Sequence, residues 1–157
     1  MKLYHGTNKD FNCIDLLKSK PNKDFGRGFY LSADYEQALN MANVKVEQLE
    51  YGSPVVQAYS FNEQALENLH ALHFESYSEE WVKFILLNRN NPTQQPAHDY
   101  DVVIGPIADD RVGFQLWKYE SHFIDLPTLV RSLKYMKGIT IQYFFGTERA
   151  IKLLQRL

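Results

Sequence analysis

What most constrains this chain is its punctuation. Its apolar segments are short, and a glycine, a proline or a helix-capping residue cuts each one off within a few positions. Such segments build short strands and helices of a few turns. Lys2 to His5 predicts an opening strand, and Gly28 to Ser32 a second, ended by Asp34. Asp34 with Gln37 reads as an N-cap and its reciprocal partner, starting a helix that runs to about Asn43. Pro54 to Phe61 alternates in polarity and predicts a strand. Ser76 with Glu79 reads as another capping box. The helix it opens carries Trp81, Phe84, Ile85 and Asn88 on one stripe. Leu87 to Tyr100 is polar and proline-broken, a long surface loop.

Further along, Asp101 to Gly105 predicts a strand stopped by Gly-Pro. Pro127 suits a helix start and Gly138 a residue just past a helix end, so Pro127 to Lys137 is expected to be helical. Ile139 to Phe145 predicts a strand. Thr147 caps a last helix, with Glu148 in its first turn and Arg149, Lys152 and Arg156 toward its end. Phe114 to Ile124 fits no single pattern. The sum is one α+β domain over residues 1–157, its strands too short and too alternating for regular parallel βαβ units. A mixed or antiparallel sheet with flanking helices is expected.

At 157 residues a single core needs no disulfide or metal to hold it. The lone cysteine, Cys13, allows neither a disulfide framework nor a thiolate metal cluster, and it suits a reducing cytoplasm. The formal charge of −2 gives no global field for nucleic acid, though a local basic patch stays open. No apolar stretch follows Lys2, and none elsewhere approaches ~18 residues, so neither a secretory signal nor a membrane span is expected.

Two stretches carry chemistry. In "LYHGTNKDF" a histidine ends an apolar strand, and Gly6 beside it lets another group approach the backbone, with the Thr7 hydroxyl adjacent. A lone His5 there reads more readily as structural. In "DFGRGFYLS" Gly26 and Gly28 permit a sharp turn that projects Arg27. That turn lacks the Gly-Lys-Ser/Thr of a phosphate loop, and it precedes a strand where a dinucleotide fingerprint would follow one. On spacing alone, a hairpin turn with a solvated arginine is as good a reading as a ligand site.

Together, "YHGT" and "FGRGFYLS" resemble the poly-ADP-ribose polymerase and diphtheria-toxin class of ADP-ribosyltransferases. There a His-Gly-Ser/Thr strand is followed by a Phe-Gly-Lys-Gly-Ile-Tyr-Phe-like strand. The chain looks closer still, over nearly its full length, to a bacterial family catalogued as a domain of unknown function. The shared stretches are "DFGRGFYLS", "YDVVIGPIADD" and "IQYFFGTERAIKLL". The resemblance implies an ADP-ribosyltransferase-like split sheet with NAD⁺ as substrate in its cleft and no metal. His5 would hold ribose hydroxyls, Gly6 the nicotinamide amide, and Tyr30 would stack on the nicotinamide ring. The implied cofactor-binding set is His5, Gly6, Thr7, Phe25, Gly26, Arg27, Gly28, Tyr30, Tyr35 and Met41. Arg27 would reach a phosphate, and Tyr35 or Met41 would supply the second wall of the ring slot. The chemistry is coherent, because a flat cationic ring is attracted by an aromatic face.

The class's catalytic glutamate falls on Gln142 here, so the implied catalytic set is His5, Tyr30 and Gln142. Gln142 shares a strand face with Thr140 and Phe144. A glutamine orients a ribose hydroxyl but brings no charge to an oxocarbenium-like transition state, a loss of about 10²–10³ in rate. Glu79, Glu80, Asp109 and Asp110 are the other carboxylates weighed for that role, and each reads more readily as a helix-start or turn charge. His70 and His73 lack a third ligand for zinc, and His98 and His122 sit in polar surroundings. The expected function is NAD-dependent mono-ADP-ribosyl transfer to a protein or nucleic acid. In the bacterial family resembled, this implies a toxin held by a small cognate antitoxin. NAD⁺ hydrolysis by the same cleft, a non-catalytic NAD⁺ or ADP-ribose module, and RNA 2′-phosphotransfer remain the alternatives.

Overall fold

The computed structural model describes residues 1–157 as an α+β fold with one seven-stranded mixed sheet. The strands are β1 (Lys2–Thr7), β2 (Phe29–Ser32), β3 (Val55–Ser60), β4 (Ala71–His73), β5 (Val102–Pro106), β6 (Ile141–Phe145) and β7 (Gln155–Arg156). They lie in the order β4-β5-β6-β2-β1-β3-β7, antiparallel except for the β4–β5 pair. Helix α1 (Tyr35–Leu49) joins β2 to β3, and α2 (Glu79–Arg89) crosses over from β4 to its parallel neighbour β5. Between β5 and β6 come α3 (Asp110–Glu120) and α4 (Leu126–Lys134), and α5 (Glu148–Ile151) precedes β7. No helix is long and apolar enough to cross a membrane.

Each face of the sheet seals its own core. Alternation along β2 sends Phe29 and Leu31 to one side with Phe145, Val102 and Ile104, while Phe144 and Val103 go to the other. Helices α2, α3 and α4 cover the second side with Trp81, Ile85, Leu116, Leu129 and Leu133, all fully buried. Helix α1 lies across β1, where Ala38 and Ala42 press on Gly6.

Several boundaries move from where the sequence puts them. Helix α1 runs on to Leu49, because Glu50 in the left-handed conformation supplies the end. The cap of α2 is Ser78, whose hydroxyl accepts from the Trp81 N–H at 3.1 Å; Ser76 lies outside the helix. Buried Tyr77 packs edge-on against Trp81 and sets that start. Helix α4 stops at Lys134, short of Lys137, and Gly138 takes φ +70° in the turn beyond. Helix α5 is one turn long, so Arg156 belongs to strand β7. The stretch that fits no pattern is mostly helix α3.

Candidate active site

The seam between β1 and β2 organises the site. β1 pairs with β3 along all six residues, Lys2↔Ser60 to Thr7↔Val55. With β2 it shares a single pair, Tyr4↔Ser32. Beyond that pair the strands part, and the fork opens toward Thr7 on one prong and Phe29 on the other. The chain from Asn8 to Gly28 connects the two prongs around the mouth.

His5 sits in the fork. Its Nδ1–H donates to the Tyr30 carbonyl at 2.7 Å, satisfying an oxygen that a continued ladder would have turned to the backbone of β1. Its Nε2 is then the acceptor, 3.5 Å from the Lys45 ammonium, which also donates to the Gly6 carbonyl at 2.8 Å. The ring lies 4.2 Å from that of Phe29. Burial, then the Lys45 charge, hold the His5 pKa down at about 3, so the imidazole stays neutral.

Tyr30 stands on the opposite prong. Its hydroxyl donates to the Gly26 carbonyl at 2.6 Å and accepts from the Phe25 N–H at 3.0 Å. The twin-glycine turn thus curls around the phenol, with Gly26 at φ +91° making the bend possible. Burial pushes the Tyr30 hydroxyl well above its ordinary pKa, so it remains a phenol. Phe144 packs edge-on at 5.3 Å, and the Lys23 ammonium lies 4.7 Å from the ring centre.

The ladder β2–β6 aligns Ser32 with Gln142 and Tyr30 with Phe144, so Tyr30, Ser32 and Gln142 share one face. Gln142 Nε2 is buried there without a hydrogen-bond partner. Tyr30 and Gln142 thus lie on one face of the sheet, while the His5 ring packs with Phe29 and Phe11 toward the other.

The other expected site residues are spread between the packed interior, a separate cavity and the surface of α1. A Cβ on Gly6 would stand 1.9 Å from the Ala38 carbonyl oxygen, and one on Gly28 would stand 2.1 Å from the Phe144 ring. What the missing side chains make room for is helix α1 at Gly6 and an aromatic ring at Gly28. Phe25 is fully buried in the helix-side core, and Thr7 is buried with its hydroxyl turned to the Lys9 carbonyl. Arg27 points away from Tyr30 and donates to Gln94 Oε1 at 3.1 Å. It lines a separate cavity of about 550 Å³ with Gly26, Gln94, Gln95, His98 and Thr147. Tyr35 packs edge-on at 5.4 Å against Tyr4, and Met41, 45% exposed, lies one turn before Lys45 on α1. The four alternative carboxylates all stay at helix starts. Glu79 pairs with Lys83, Asp109 caps α3 at the Val112 N–H, and Glu80 and Asp110 occupy first turns.

Two participants in the fork, Lys45 and Lys23, are not legible in the sequence. Lys45 lies on the stripe Ala38–Ala42–Lys45, whose i, i+4, i+7 spacing places it toward the sheet. Lys23 is visible only as part of a basic, proline-containing segment. His98 is packed among Phe84, Tyr100 and Phe144, and it bonds the Phe25 carbonyl at 2.7 Å. Its surroundings are aromatic where the sequence suggests polar ones.

A family described as "Protein of unknown function (DUF3990)" matches residues 1–156. No curated protein and no solved structure matches the chain.

Proposed function

The chain belongs to the DUF3990 family, and from its forked seam we propose that it is an NAD-dependent mono-ADP-ribosyltransferase acting on a macromolecule. The observation that carries this reading is the fork where β1 leaves β2, with His5 bonded to the Tyr30 carbonyl and the unpartnered Gln142 amide on the Tyr30 face of the sheet. In the reaction, the glycosidic bond between C1′ of the ribose and the nicotinamide nitrogen breaks. Nicotinamide leaves with the bonding electrons as a neutral ring, and an acceptor nucleophile bonds to C1′ and gives up its proton. The ribose passes through an oxocarbenium-like state that a nearby negative group stabilises. Gln142 supplies hydrogen bonds to a ribose hydroxyl in place of charge. Tyr30 offers an aromatic face to the nicotinamide once Lys23 swings aside. His5, neutral at every physiological pH, accepts from ribose through Nε2 in place of Lys45.

A second reading is favoured by Lys23 and Gln142 together. A cation already over Tyr30 and an uncharged amide at the key position suit a domain that binds ADP-ribose or NAD⁺ without turnover. Incubation of the protein with NAD⁺ labelled in the adenylate half, plus cell lysate, separates these. Label on protein or nucleic acid supports transfer, and free labelled ADP-ribose supports hydrolysis. Bound NAD⁺ with neither product contradicts both enzyme readings. As a toxin, the domain would have a small antitoxin protein as partner, which co-purification from the source cell tests.

A further inference from the structure

We propose that Lys23 and Lys45 form an anion site at the mouth of the fork, and that its ligand carries a diphosphate. The two ammonium groups come from opposite walls, the segment leading into β2 and the second half of α1. Lys45 is fixed by the Gly6 carbonyl at 2.8 Å and by His5 Nε2 at 3.5 Å, which leaves one of its three N–H donors free. Lys23 rests over the Tyr30 ring at 4.7 Å and makes no hydrogen bond. Neither ammonium has a carboxylate within ion-pair distance. Asp24, beside Lys23 in the chain, is committed to Arg89 at 2.7 Å.

That arrangement is costly for a protein without a ligand. Both lysines are half-buried where an ordinary surface lysine keeps its ammonium in water. Burial lowers the pKa of each, and the Lys23 charge helps bring Lys45 down to about 8. Of the side chains against them, His5 and Tyr30 are uncharged, and Asp24, already paired with Arg89, offsets the Lys23 charge only in part. An anion would restore the missing partner, and charge-assisted bonds to phosphate are the strong ones. Two point charges on two walls match a ligand with two linked phosphates better than one with a single compact charge. Lysine suits this role, as a point charge on a flexible stem that can turn from the ring to the ligand.

The test is calorimetric titration with inorganic pyrophosphate and with ADP-ribose, using adenosine as the uncharged control. Pyrophosphate is expected to bind the native chain, more weakly as salt is added. K23Q and K45Q should each weaken it about tenfold or more, since each removes a charged donor. K118Q, on α3, should bind as the native chain does. Tighter binding of ADP-ribose than of pyrophosphate assigns the diphosphate to a nucleotide, and pyrophosphate binding alone assigns it to a free diphosphate. K23M and K45M keep the stem and provide the folding control. Without ligand they should melt at or above the native temperature, and pyrophosphate should stabilise only the native chain. Absence of pyrophosphate binding, or binding unchanged in both K23Q and K45Q, overturns the proposal. Pyrophosphate contains no glycosidic bond, so its binding stands or falls separately from nicotinamide release.

Discussion

Among single residues, the placement of His5, Tyr30 and Gln142 on strands is legible because each stands in a short apolar or aromatic string. Their neighbours are not legible, because Lys23 and Lys45 reach the fork through tertiary packing that no local pattern encodes. Gly6 illustrates the same limit. From sequence it reads as an opening for ligand, yet helix α1 occupies the space. Gly6→Ala is therefore expected to cost about 3 kcal/mol or more, since a backbone carbonyl 1.9 Å from the new Cβ cannot yield without moving α1. Urea unfolding of the variant measures it. Loss of less than half that amount would mean the helix rides loosely on β1.

At the scale of elements, existence was easier to read than boundaries. Ser76-x-x-Glu79 matches a capping box, but the buried packing of Tyr77 on Trp81 pulls the helix start to Ser78. Accordingly, Ser78→Ala should lose about 1 kcal/mol and Ser76→Ala almost nothing, by the same unfolding measurement. Strand β4 leaves no mark in the sequence because three residues show no periodicity, and α3 fits no pattern because apolar and charged positions mix along it. A second link joins elements distant in sequence. Asp101, at the start of β5, accepts from the His70 N–H at 2.8 Å, from Thr147 Oγ1 at 2.6 Å and from Arg149. Burial pushes its pKa up, but these donors prevail and hold it at about 2. Replacing Asp101 with alanine should cost roughly 2–3 kcal/mol, because buried donors lose their acceptor. A variant as stable as the native chain would show that the α5 cap stands without it.

At the scale of the whole molecule, the sheet is two ladders joined by one pair of residues, with a core on either face and the site at their seam. The antiparallel character was readable from short alternating strands; the fork was not, since it depends on which strands lie side by side. Acid should reveal the seam. The folded His5 pKa of about 3 lies below its ordinary 6.5, so the unfolded chain takes up the proton first. Its contribution is complete above pH 6.5 and is lost as pH falls toward 3, at up to about 1.4 kcal/mol per pH unit. His98, also lowered by burial, acts in the same direction. Asp101 adds its loss only below its ordinary 3.8. Denaturation curves between pH 7 and 4 should therefore slope less steeply in His5→Gln than in the native chain, and equal slopes would contradict a buried neutral imidazole.

The central claim is that the fork handles NAD⁺ with Gln142 where a charge would best help. Nicotinamide release from NAD⁺ tests it directly, measured for the native chain, Tyr30→Ala and Gln142→Glu. The native chain should release nicotinamide slowly, Tyr30→Ala should release none above background, and Gln142→Glu should be faster by about 10²-fold. No release from either the native chain or Gln142→Glu, with both folded, would rule out NAD⁺ cleavage in the fork.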